Sequence, residues 1–178
     1  GDMDAVSAGW GRMTWDGETA LLSTTSADGN EYAVPSGYDE VTDHLSARNV
    51  PLYLSVFMEG QELKDLLASD TGRAQAVEQI VNELTVDYQA IGENPYSGVT
   101  IDFEGLRSAQ REDFTAFLTA LDAELEDLGK DLYVCVSPVL GGSSWYDGYD
   151  YAAIGRLADR VILMAYGYDA RDMSGFVD

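Results

Sequence analysis

Cysteine is almost absent from this chain and so is histidine: Cys135 and His44 stand alone in 178 residues. One cysteine cannot close an intrachain disulfide, and one Cys with one His cannot assemble a metal-ligand cluster, so no metal or other cofactor is expected. Cys135 lies within Leu132-Tyr133-Val134-Cys135-Val136, where a small buried apolar residue is expected rather than a nucleophile. His44 falls in a polar segment and is expected to be exposed. Basic residues are scarce as well. Ten Lys+Arg face 32 Asp+Glu, giving a net charge of −22 and a pI near 4.1. A field of that sign repels phosphate backbones and anionic lipid surfaces, which argues against nucleic acid and membrane partners. A neutral ligand such as a sugar is not penalised. No apolar run approaches the roughly 18 residues of a membrane span, so no membrane insertion is expected. No signal peptide is visible at Gly1-Asp2-Met3-Asp4.

What remains is ordinary globular material, with 46% hydrophobic and 24% charged residues. The length suits one core, so 1–178 is read as a single domain. Val6 to Trp15 reads as a strand closed by the turn Asp16-Gly17, and Leu21 to Thr25 pairs with it or continues its edge. A short helix is expected over Tyr38 to Arg48. Leu52 to Met58 is a nearly continuous apolar strand, as for a parallel strand buried on both faces. Ser69-Asp70-Thr71 offers a cap for a helix from Arg73 to Tyr88, with Ala74, Val77, Ile80, Val81, Leu84 and Tyr88 at helical spacing. Ser108 caps a second helix whose face is Phe114, Phe117, Leu118, Leu121, Leu125 and Leu128, ended by Gly129. Asp131 to Pro138 and Arg160 to Tyr166 are further strands, with a helix at Tyr151 to Leu157 between them. Hydrophobic strands alternating with helices predict an α/β fold with a parallel sheet.

The stretch Tyr96-Ser97-Gly98-Val99-Thr100-Ile101-Asp102-Phe103-Glu104 carries the chemistry. As a strand it sends Val99, Ile101 and Phe103 to one face and Thr100, Asp102 and Glu104 to the other. An apolar face suits packing under helices. Two carboxylates some 6.5–7 Å apart along a strand do not suit a core, because burying an unpaired carboxylate is costly. They are near enough to share a proton, each charge raising the other's pKa. Asp102/Glu104, Ser137/Pro138 and Tyr166/Asp169 all fall at or just past the carboxyl ends of strands. That is the edge that carries the site in open α/β sheets and in (β/α) barrels alike.

Ser97-Gly98-Val99-Thr100-Ile101-Asp102-Phe103-Glu104 resembles the Asp-Gly-x-Asp-x-Asp-x-Glu signature of family 18 glycoside hydrolases, borne on the fourth strand of a (β/α)8 TIM-type barrel. Leu52 to Met58, Leu132 to Pro138 and Val161 to Tyr166 are similar to the family's third, fifth and sixth strands. Met164-Ala165-Tyr166-Gly167 resembles its Met-x-Tyr-Asp, and the IDFEGL wording is nearest to the bacterial cell-wall and spore branch. The resemblance implies a partial barrel of roughly the second to sixth strands, since a complete one needs about 250 residues. It also implies that a partner chain or a further segment covers the open sheet edge.

The activity implied is retaining, substrate-assisted cleavage of a β-linked N-acetylglucosamine polymer of chitin or peptidoglycan type. In this scheme Glu104 is the acid, Asp102 orients the substrate acetamide and Tyr166 hydrogen-bonds it. Trp145 stacks on a sugar, and Thr100, Met164, Ser137 and Asp169 border the substrate. Such a substrate places the protein outside the cell or at the wall. Three positions depart from the pattern: Ser97 for the first Asp, Thr100 for the second, and Gly167 after Tyr166. With a hydroxyl at Thr100, Asp102 is expected to ionise more readily than in the parent pattern. The alternative function is a carbohydrate-binding or scaffold protein that kept the barrel without turnover.

Overall fold

The computed structural model describes residues 6–24, 51–86, 94–137 and 147–164, the first four in backbone only. They form a six-stranded sheet with helices packed on it. Strand β1 (Val6–Trp15) turns at Asp16, whose Oδ1 accepts the Glu18 and Thr19 N–H groups at 2.8 and 2.7 Å, into β2 (Ala20–Ser23). The two pair antiparallel. Then come β3 (Leu52–Met58), helices α1 (Gly60–Ala68) and α2 (Asp70–Thr85), β4 (Tyr96–Phe103), and α3 (Arg111–Leu128). Strand β5 (Asp131–Val136), α4 (Tyr151–Leu157) and β6 (Arg160–Leu163) follow.

The sheet order is β2-β1-β3-β4-β5-β6, and every pair after the first is parallel. Each parallel strand lies beside the one before it. A doubly wound sheet reverses direction about a switch point, whereas a barrel winds one way throughout, so this order is that of a partial (β/α) barrel. The apolar sides of the strands, including Leu54, Val56, Val99, Ile101, Phe103, Leu132 and Val134, are fully buried with the helix residues Leu63, Leu66, Ile80, Phe114, Phe117 and Leu121.

Local chemistry explains most boundaries. Ser69 ends α1 and caps α2, its Oγ accepting the Gly72 N–H at 3.0 Å. Gly72 is needed for the same corner, since a Cβ would sit 2.7 Å from the Leu66 carbonyl oxygen. Helix α2 thus starts at Asp70, three residues before the expected Arg73; Tyr88 lies outside the described residues, as does the helix expected at Tyr38 to Arg48. Helix α1 was not anticipated. It buries Leu63, Leu66 and Leu67 at i, i+3, i+4, but no side chain caps its start. Ser108 opens a 3-10 turn (Ser108–Gln110) ahead of α3 rather than capping that helix. Gly129 ends α3 in the left-handed region (φ 66), which turns Leu128 out of the expected apolar face to 39% exposure. Strands β5 and β6 stop at Val136 and Leu163, short of the expected Pro138 and Tyr166.

One free edge is closed by the chain itself. Gln75 and Gln79, one turn apart on α2, accept the Ala20 and Leu22 N–H groups at 2.8 and 3.2 Å. These are the donors that β2 points away from β1. Gln75 also donates to the Glu18 carbonyl, and Glu62 on α1 accepts the Trp15 N–H at 2.7 Å. At the other edge, Val161 and Leu163 of β6 are 37% and 66% exposed.

Candidate active site

Register stacks the inward side chains in rows from the amino to the carboxyl end of the sheet. Tyr53 pairs with Gly98, and Gly98 with Asp131. The next row joins Trp10, Ser55, Thr100, Tyr133 and Arg160. Above it, Arg12 pairs with Phe57, Phe57 with Asp102, and Cys135 with Ile162. Because Ile101 pairs with Val134, the next residues, Asp102 and Cys135, are neighbours in the same row.

The lower rows form a packed floor. The rings of Tyr53 and Tyr133 stack at 4.2 Å with 18° between their planes, and the Tyr53 hydroxyl donates to Asp131 Oδ2 at 2.6 Å. Arg160 lays its guanidinium carbon 5.3 Å from the Tyr133 ring centre. Gly98 admits this closeness, since a Cβ there would stand 2.2 Å from the Asp131 carbonyl oxygen.

Above the floor sit the carboxylates. Asp102 and Glu104 share the inner face, as the alternation predicts, and lie close enough for the charge of Glu104 to act on Asp102. Asp102 is pushed up to about 7, chiefly by burial, then by the neighbouring Glu104, and lastly by the charge of Glu59. Its Oδ1 is buried and has no hydrogen-bond partner among the described residues. Thr100, 6% exposed, makes no hydrogen bond to Asp102 there. Whatever ease of ionisation a hydroxyl in place of a carboxylate brings is outweighed by burial and by Glu104. Near neutrality Asp102 is therefore poised between its protonated and charged forms.

Glu104 lies just past the end of β4, where its N–H donates to the Met58 carbonyl at 3.0 Å and Gly105 (φ 77) turns the chain away. Cys135 is 8% exposed, and its thiol is pushed up to about 12 by burial and by the charges of Asp102 and Glu104. It stays a neutral thiol, as its apolar sequence neighbourhood leads one to expect.

Ser137 follows β5 on the same side; its carbonyl accepts the Tyr151 hydroxyl, and its own hydroxyl lies beside that of Tyr149. Met164 continues the β5–β6 pairing past the end of β6, its N–H donating to Val136 O at 2.9 Å. Thus Thr100, Asp102, Glu104, Ser137 and Met164 gather toward the carboxyl edge, with Thr100 the deepest. Tyr166, Trp145 and Asp169 lie outside the described residues. Two residues near the pair escaped the sequence reading. Glu59, directly after β3, is an isolated acid in a loop, and Tyr149 sits in the aromatic run Tyr146 to Tyr151 with no spacing that marks it.

With this geometry in place, the match to known proteins is decisive. The profile of the family described as glycosyl hydrolases family 18 matches residues 23–176. The chain belongs to that family. Among relatives in it, YdhD of Bacillus subtilis (strain 168), named as a sporulation-specific glycosylase, is 33% identical over 110 residues, covering 57% of this chain and 26% of its own. Among solved structures, a class V chitinase from Pseudomonas fluorescens Pf-5 has a TM-score of 0.71 at 24% identity, over 92% of this chain and 47% of that one. A group II chitinase catalytic domain from Ostrinia furnacalis, a variant in complex with a chito-oligosaccharide given as (NAG)5, has a TM-score of 0.65 at 17% identity, over 90% and 42%. The chain spans about a quarter of the length of its curated family relative and about half that of the solved ones.

Proposed function

We propose that this chain carries the acid-bearing part of a retaining glycosidase that cleaves β-linked N-acetylglucosamine-containing polysaccharide, of chitin or peptidoglycan type, outside the cell or at its wall. The observation that carries the reading is the placing of Asp102 and Glu104 side by side on the inner face at the carboxyl end of β4, with Asp102 buried. Protonated Glu104 gives its proton to the glycosidic oxygen as that bond breaks. The acetamido oxygen of the sugar attacks the anomeric carbon and forms an oxazolinium ion. Asp102 accepts the acetamide N–H through Oδ1, which has no partner among the described residues, and balances the positive charge. Glu104, now a carboxylate, takes a proton from water, which opens the oxazolinium from the same face and restores the starting state. Two-carboxylate schemes need a second acid as nucleophile; here the substrate fills that role, so Asp102 serves as positioner.

Tyr166 hydrogen-bonds the acetamido group and Trp145 stacks on a sugar, while Thr100, Met164, Ser137 and Asp169 border the substrate. The acidic surface supports a neutral glycan over a phosphorylated one. The names of the sporulation glycosylase and the chitinases support the substrate class. The test is incubation of the full chain, within its natural polypeptide, with chitin oligomers and with peptidoglycan-derived oligomers. Product release with retained anomeric configuration is the expected result. Tight binding of the oligomers without release would instead make the protein a glycan-binding module.

A further inference from the structure

The segment Asp147–Tyr149, just before α4, is stitched to the turn that presents Glu104. Tyr149 is 2% exposed, and its hydroxyl donates to the Phe103 carbonyl oxygen at 2.5 Å. That carbonyl belongs to the same peptide group as the Glu104 N–H, which donates to Met58 O at 3.0 Å. The peptide unit leading into the acid is therefore gripped at both polar ends, by β3 on one side and by a phenol on the other.

Further bonds run in parallel. Gly148 N–H donates to Leu106 O at 3.1 Å, and Ser108 N–H to Asp147 Oδ1 at 2.7 Å. The Arg111 guanidinium donates to Asp147 O at 2.9 and 2.7 Å. Gly148 must be glycine for the approach, because a Cβ would lie 2.6 Å from the Arg107 carbonyl oxygen. The Tyr149 ring stands edge-on to Phe114 at 5.7 Å, and Phe114 packs against Phe103 at 5.9 Å, so the phenol cannot swing away cheaply. Burial holds the phenol well above its ordinary pKa, so it remains a donor.

We propose that Tyr149 is a positioning residue for Glu104: by holding the Phe103–Glu104 peptide it sets where the acid's carboxyl sits. The inference rests on Glu104 being the proton donor. The grip fixes the backbone just before the acid, and a displacement of about 1 Å at a reacting group can cost on the order of 10²-fold in rate. The same contacts also tie the turn that presents the acid to Asp147–Tyr149, between β5 and α4.

Tyr149→Phe in the full chain tests this, with Tyr53→Phe as a matched loss of a buried phenol bond far from the acid. Two readouts apply: kcat against KM on an N-acetylglucosamine oligomer, and hydrogen exchange of the Glu104 amide by NMR. Tyr149→Phe should lower kcat about tenfold with KM within about twofold, and speed Glu104 amide exchange about tenfold. Tyr53→Phe should change neither kcat nor that exchange rate. Unchanged exchange in Tyr149→Phe overturns the grip, whether or not the unmodified protein turns over. Faster exchange with unchanged kcat, or a change in KM alone, overturns the positioning role. A protein that hydrolyses no oligomer yet shows the faster exchange overturns the glycosidase reading and keeps the grip.

Discussion

The two ends of the inner face are built from the same strands and obey the same period, yet they satisfy their polar groups in opposite ways. At the amino end, the Tyr53 hydroxyl finds Asp131, Tyr53 stacks on Tyr133, and the positive Arg160 faces an aromatic ring. At the carboxyl end, two carboxylates sit side by side, Asp102 Oδ1 is buried without a partner among the described residues, and the nearest thiol is kept from ionising by burial and by their charges. A packed floor lowers the energy of the folded state. An incompletely satisfied pair raises it locally and keeps hydrogen-bonding capacity in reserve for a ligand. In barrels of this kind, the bottom holds the structure and the top does the chemistry.

That contrast can be attacked from either side. The largest effect is expected at the top. Glu104→Gln should cut hydrolysis by about 10²–10⁴-fold while the unfolding midpoint moves little, read by product release and thermal denaturation on one sample. At the floor the pattern should invert. Tyr53→Ala removes a ring that is 3% exposed, and should cost about 3–5 kcal/mol in denaturant unfolding, with turnover per folded molecule unchanged. Gly98→Ala tests the closeness of the floor more gently. Its Cβ must push β4 and β5 apart at the Asp131 carbonyl, for about 1–3 kcal/mol. A loss below 0.5 kcal/mol there would show that the strands have room to spare.

The last test reads a slope. Asp102 rises from an ordinary 3.8 to about 7 in the folded chain, so the folded state binds more protons than the unfolded state between those values. Its contribution to stability therefore falls as pH climbs from about 4 to 7 and levels off above. Asp102→Asn should remove that decline, making the variant relatively more stable at pH 8 than at pH 4. An identical pH dependence of melting in the two proteins would contradict the burial of this carboxyl.

Much of this is legible in the sequence. Strands β3, β4 and β5 announce themselves because residues buried on both faces leave long β-branched and aromatic runs, and the acids in β4 break its alternation on one side only. The direction of winding was not legible in the local pattern, which an open sheet and a barrel share; only the resemblance carried by Ser97 to Glu104 pointed to the barrel. Helix α1 stayed hidden behind Ser69, the only visible cap in the region, which serves as the end of one helix and the start of the next. Leu128 continued the apolar period of α3, but the left-handed Gly129 turns the chain before that position is covered. Sequence reveals that Thr100 stands where the family pattern has a carboxylate, but not the depth at which its neighbour Asp102 is buried, and that burial is the chief cause of the raised pKa. Tyr149 meets Phe103 across 46 residues of chain, a contact that no local spacing encodes.

The glutamines that α2 lends to β2 have a consequence for crowded solutions. A strand whose outward donors are free offers a template on which another chain can extend the sheet. At Ala20 and Leu22 those donors are already occupied by side chains from a helix that cannot itself propagate. Any intruding strand on this flank must first displace both amides, losing two bonds before it makes its own. Gln75 and Gln79 thus act as terminators of sheet growth, and replacing both with alanine should leave the fold standing but give it a tendency to polymerise from that side.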